Sequence, residues 1–126
     1  MAQTRFAATN TPRNYRLETE EGTVVAGEVE LATSFTRRLL GLMFRQSLAQ
    51  GRGLVLTPCS SVHMLFMRFP LDVAFVDNEG VVLHVLHSLR PWRASRFVRK
   101  ARAAIELPEG TLAAAGVTIG TRLRLV

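Results

Sequence analysis

Residues 53–80 read GLVLTPCSSVHMLFMRFPLDVAFVDNEG, and the fold turns on how this stretch is parsed. Two alternating apolar runs, Val62–Met67 and Leu71–Val76, flank Arg68-Phe69-Pro70, and Asp77-Asn78-Glu79-Gly80 closes the second. Alternation sends successive side chains to opposite faces of an extended ribbon, while Pro, Asn, Asp and Gly supply turn geometry. The stretch therefore predicts strands, with a further one at Leu54–Leu56 ended by Thr57-Pro58. It also holds the chain's only cysteine, Cys59, beside His63, Met64, Met67 and Asp72.

Towards the N-terminus the alternation persists. Tyr15 and Leu17 share one face, Val25, Val29 and Leu31 another, and Glu20-Glu21-Gly22 lies between, which predicts a hairpin. One amphipathic helix is expected over about 34–45, capped by Thr33 or Ser34. Phe35, Leu39, Leu42 and Met43 form its apolar stripe, and Arg37, Arg38 and Arg45 its polar side. Gly41 within it costs about 1 kcal/mol relative to Ala and implies close packing of another element.

Towards the C-terminus, Val81–His87 and Ala103–Leu107 read as strands. Gly110 and Gly116 bracket a helical turn near 111–115, with Thr111 as its cap. Val117, Ile119, Thr121, Leu123 and Leu125 alternate as a last strand. The expected fold is mainly β: an antiparallel β-sandwich or distorted barrel of about eight short strands. Residues 1–13 carry no pattern and read as a flexible arm, leaving 14–126 as a single sandwich-like domain.

The chain has 126 residues, enough for a core without staples, and one cysteine excludes an internal disulfide. Its formal charge of +6 comes from 16 basic residues, all but one of them arginine, against 10 acids. That excess supports only weak inferences about anionic partners. No apolar run approaches the ~20 residues of a membrane span, and MAQTRFAATNTPRN has no apolar central region. The sequence as it stands predicts a soluble cytoplasmic protein, or an exported one if a leader has been removed.

Several ordered motifs resemble a known family. They are Gly41-Leu42-Met43-Phe44-Arg45, Val62-His63 with Met67, and Phe69-Pro70-Leu71-Asp72-Val73 with Gly80. Leu89-Arg90-Pro91-Trp92-Arg93, Ile105-Glu106-Leu107-Pro108-Glu109-Gly110 and Ile119-Gly120 follow. Together they resemble the bacterial and archaeal domain of unknown function 192, from about Glu28 to the C-terminus. The resemblance implies a mainly-β, sandwich-like fold and no established function. Some members of that family carry export signals that this chain lacks. Thr121 stands where the family often has an acid, a departure that bears on a turn or on a role lost here.

Cys59, His63, Met64 and Met67 are soft-ligand types suited to copper(I) or zinc. On a strand, His63 and Met67 would lie about 13 Å apart at about 3.3 Å per residue, too far for one ion. The ordinary reading is a core of Met and Phe with Cys59 as a small hydrophobe, and no metal or cofactor is expected. As a nucleophile Cys59 would need His63 as base and an acid such as Asp72, yet Ser60-Ser61 replace the glycine-rich turn an oxyanion site favours.

Asp72 and Glu106 lie inside apolar strands, where a carboxylate needs hydrogen bonds or a cation. They either fix strand corners or face a ligand. His84 and His87 have opposite parity, so at least one is exposed. Between Arg90 and Arg102 six cations, Arg90, Arg93, Arg96, Arg99, Lys100 and Arg102, interleave with Trp92 and Phe97 without an acid. Cations and stacking aromatics suit single-stranded nucleic acid, though a charged edge also discourages aggregation.

The leading expectation is an accessory domain that binds an unknown ligand or protein through His63, Met67, Asp72, Trp92 and Glu106. No catalytic residue is assigned. The rival is a small hydrolase or transferase using Cys59 or the His63, Asp72 and Glu106 set. A second rival binds anionic polymers through the basic segment.

Overall fold

A computed structural model describes residues 14–126; the expected arm at 1–13 lies outside the described residues. The elements are β1 (Asn14–Thr19), β2 (Val24–Ala32), α1 (Phe35–Leu40), β3 (Arg52–Leu56), β4 (Leu71–Val76), β5 (Val82–Leu89), β6 (Ala103–Pro108), α2 (Thr111–Ala114) and β7 (Leu123–Leu125). The chain is mainly β, as its alternation predicts. Its strands form one seven-stranded sheet in the order β5-β4-β6-β3-β2-β1-β7. All pairs are antiparallel except β2 with β3, which the helical crossover makes parallel. The sheet is not closed into a barrel, although Val81 bridges Arg122 and so draws the start of β5 towards β7.

The expected hairpin is β1–β2, and β4 falls on the predicted residues. The turn after β4 forms because Asp77 Oδ1 accepts from the Glu79 and Val81 N–H groups, while Gly80 takes a φ of 82°. Both faces of the central strands are covered. Val55, Ala74, Ile105, Leu107 and Leu112 belong to one core, and Leu54, Leu56, Val73, Phe75 and Ala104 to the other. Helix α2 packs into the first core, and Leu42, Val62, Met64, Met67 and Val98 close the second. Loops and a short helix thus do the covering that a second sheet would do in a sandwich.

Several expectations are corrected. The helix ends at Leu40, because Gly41 adopts φ 48° and its N–H bonds Arg37 C=O, terminating the helix instead of lying within it. Ser34 is the cap, its Oγ accepting from Arg37 N–H at 3.1 Å. Leu39, assigned to the buried stripe, is exposed, while Leu42 is buried beyond the helix end; the side chain of Phe35 lies outside the described residues.

Val62–Met67 is not a strand. Val62, Met64 and Met67 are buried one by one from an irregular loop. Met64 N–H bonds Arg93 C=O, Trp92 N–H bonds Met64 C=O and Ser95 N–H bonds Val62 C=O, and Phe66 breaks the ribbon with φ 60°. The final strand is only Leu123–Leu125, since Thr118–Thr121 turns on itself and leaves Ile119 exposed. Thr111 opens α2 without capping it. Gly110 holds the cap position and supplies no side chain. No helix among the described residues is long and apolar enough to cross a membrane.

Candidate functional site

Strand β6 lies between β3 and β4, and its alternation decides where Glu106 points. Ala103, Ile105 and Leu107 enter the first core and Ala104 the second, so Glu106 shares the second face. There it sits between Leu54 of β3 and Val73 of β4, directly opposite in register. Only 4% of it is exposed, and Oε1 has no hydrogen-bond partner among the described residues. Burial pushes its carboxyl up to about 7, against a smaller downward pull from Arg37. The Arg37 guanidinium is itself spoken for, donating to Gly41 C=O at 3.0 Å and Glu30 Oε2 at 2.8 Å.

A cleft of about 50 Å³ opens beside Glu106, between the end of α1 and the loop after β3. That is room for a few waters or a small functional group. Leu42, Met43, Leu56, Val62 and Met67 make its walls apolar, and Arg38, Cys59 and His63 add polar atoms. Arg38 Nη1 donates to Pro58 C=O at 2.8 Å, whereas its buried Nε has no partner. Gly41 borders the carboxyl: a Cβ there would stand in ordinary contact, 3.5 Å from Glu106 Oε1.

Cys59 donates its thiol to Ser61 C=O at 3.0 Å. Burial raises the thiol above its ordinary range, with Glu106 adding a smaller push. His63 Nδ1 accepts from Leu65 N–H at 3.2 Å, which places the proton of a neutral ring on Nε2.

The expected surface is brought together in part. His63, Met67 and Glu106 line the same cleft, joined by Cys59. The separation argued for an extended His63–Met67 ribbon does not apply, because the loop folds back. Even so, no three of His, Cys, Asp and Glu among the described residues come together to hold a metal ion.

Asp72 points to the other face, with Oδ1 accepting from Ser88 N–H and Oδ2 from Leu112 N–H, both at 3.0 Å. It thereby gives α2 the cap that Gly110 lacks. Trp92 lies outside the cleft, exposed and packed against Phe66. Of the basic segment, Arg90, Arg93, Arg96, Arg99 and Lys100 are exposed and Arg102 is half-buried. His87 is exposed and His84 half-buried, as opposite parity requires.

Sequence reasoning missed Arg38 and Gly41 as parts of the site. The signal is a glycine three residues after an arginine, which ends the helix although the apolar pattern runs on past it.

The chain belongs to the family described as Uncharacterized ACR, the domain of unknown function 192, which it matches over residues 14–125. It is 37% identical to a UPF0127 protein of Pyrococcus furiosus over 110 residues, spanning 85% of this chain and 94% of the relative. A UPF0127 protein of Pyrococcus horikoshii is 40% identical over 87 residues, 67% of this chain and 75% of that one. Among solved structures, a Sinorhizobium meliloti protein described as a proposed transcription regulator superposes with a TM-score of 0.76 at 27% identity, covering 91% of this chain and 94% of that one.

Proposed function

We propose that this chain is a binding domain whose ligand sits in the cleft at Glu106. The observation that carries the reading is the buried Glu106 Oε1 without a partner. An unsatisfied buried polar atom costs about 1–3 kcal/mol, a cost that a bound group would recover. Arg38 lines the same cleft, and its buried Nε is a donor likewise without a partner among the described residues. A head that both donates and accepts, such as a primary amide, matches this pair, and a short apolar body matches the walls.

The enzymatic alternative is less well supported. A nucleophilic thiol needs a lowered pKa and a neighbouring base. Cys59 is shifted the other way, and the lone pair of His63 Nδ1 is already engaged by Leu65. Butyramide titrated into isotopically labelled protein tests the binding reading. Amide NMR shifts at Gly41, Ser61, His63 and Glu106 are expected to move together, and Glu106→Gln to weaken the effect. Shifts scattered over the surface, or unchanged in Glu106→Gln, contradict it.

A further inference from the structure

Five non-glycine residues among those described adopt positive φ, and three of them are aromatic: Phe44 at 69°, Phe66 at 60° and Trp92 at 67°. Such backbone is uncommon and costly for bulky side chains. The three come from separate segments, yet they form one row. The Phe44 and Phe66 ring centroids lie 5.1 Å apart, and those of Phe66 and Trp92 5.0 Å. Phe44 N–H donates to Phe66 C=O, and Trp92 N–H to Met64 C=O, so the backbone fixes the row. The rings nevertheless face solvent, at 57%, 46% and 60% exposure. Leu65 extends the ridge at 44% exposure, and Leu39 and Leu40, also exposed, line the cleft nearby.

The chain neighbours of this ridge are positive. Arg68 follows Phe66 by two, and Arg90 and Arg93 flank Trp92; all three are exposed. The sequence has no acid between Glu30 and Asp72, nor between Glu79 and Glu106, and every segment of the ridge lies in those two stretches.

We propose that this ridge docks the protein onto an anionic lipid bilayer. The apolar crest enters the headgroup boundary and the arginines pair with lipid phosphates. Trp is favoured at that depth, and the aliphatic leucines gain by leaving water there. Single-stranded nucleic acid fits less well. A stacking platform needs open ring faces, whereas Phe66 is packed by a ring on either side, and leucines offer bases nothing to stack on. The inference is independent of what occupies the Glu106 cleft.

Trp92 is the only tryptophan in the chain and reports directly on the crest. Phosphatidylcholine vesicles containing phosphatidylglycerol are expected to shift its emission to shorter wavelength and to cosediment the full chain. Pure phosphatidylcholine vesicles should do neither. Removing two charges in an Arg90→Gln, Arg93→Gln variant should weaken binding roughly thirty-fold, since each such charge contributes about five-fold. Leu65→Ser should weaken it roughly tenfold. All of these side chains are exposed, so unchanged circular dichroism will separate lost binding from lost fold. Absent binding to anionic vesicles overturns the proposal, as does equal binding to neutral ones. Quenching of Trp92 by an oligothymidylate without vesicle binding also overturns it and marks the ridge as a nucleic-acid surface.

Discussion

Asp72 and Glu106 are both buried carboxyl groups on neighbouring strands, one register step apart, with Asp72 opposite Leu107 and Glu106 opposite Val73. They point to opposite faces of the sheet. Asp72 meets two backbone N–H groups and ties β4 to both α2 and the end of β5. Glu106 has an oxygen that meets none, and a cleft stands beside it. A satisfied buried acid is a fastening; one with a free acceptor is available for recognition. The sequence contexts of the two are alike, each an acid among aliphatic residues. What separates them is how each face is covered: a helix with free N–H groups on one side, and a loop with a glycine gap on the other.

The comparison breaks most visibly at Asp72. Asp72→Ala leaves the buried Leu112 N–H and the part-buried Ser88 N–H without their acceptor and should cost about 2–4 kcal/mol. Urea denaturation measures it, and a loss below about 1 kcal/mol would mean that the fastening role is mistaken.

Glu106 should behave oppositely, through pH. Its folded pKa of about 7 lies above the usual 4.5, so between those values the folded protein holds more protons than the unfolded chain. Stability from this group is therefore full below 4.5 and is lost as pH rises through about 7. The total amounts to about 3 kcal/mol. Glu106→Gln should flatten that slope in denaturation curves recorded across the interval, and a slope that persists in the variant would place its origin elsewhere.

A smaller effect is expected at Gly41, where φ 48° with ψ −121° suits only glycine. Gly41→Ala should cost about 1–3 kcal/mol through backbone strain alone, since the new Cβ would only reach ordinary contact with Glu106 Oε1. The thermal midpoint reports it, and an unchanged midpoint would mean that the end of α1 tolerates a side chain there. Least is expected from Ser34→Ala, about 1 kcal/mol by urea denaturation, because only one exposed cap bond to α1 is removed.

Much of the scaffold was legible because the core strands obey a period of two. The β1–β2 hairpin and β4 follow from it directly, and Asp77–Gly80 carries its own turn chemistry. The same rule misled at Val62–Met67, where the buried residues hang from a loop held by bonds to 92–95, a long-range partner that local pattern cannot name. It misled again at the C-terminus, where turn formation through Thr118 and Thr121 overrides alternation. Of the nominated residues, His63 and Met67 converge on Glu106 because the loop after β3 folds back over β6. Asp72 diverges by strand parity, and reading parity against Glu106 required knowing that β4 and β6 are neighbours.

The most direct test follows the side-chain carboxyl carbon of Glu106 by NMR while pH is varied. A buried acid lacking a partner at Oε1 should titrate near 7, and later addition of a ligand that donates to it should shift that midpoint. A midpoint near 4.5 would mean that the group is solvated or already paired, and the reading of the cleft as a binding site would be wrong.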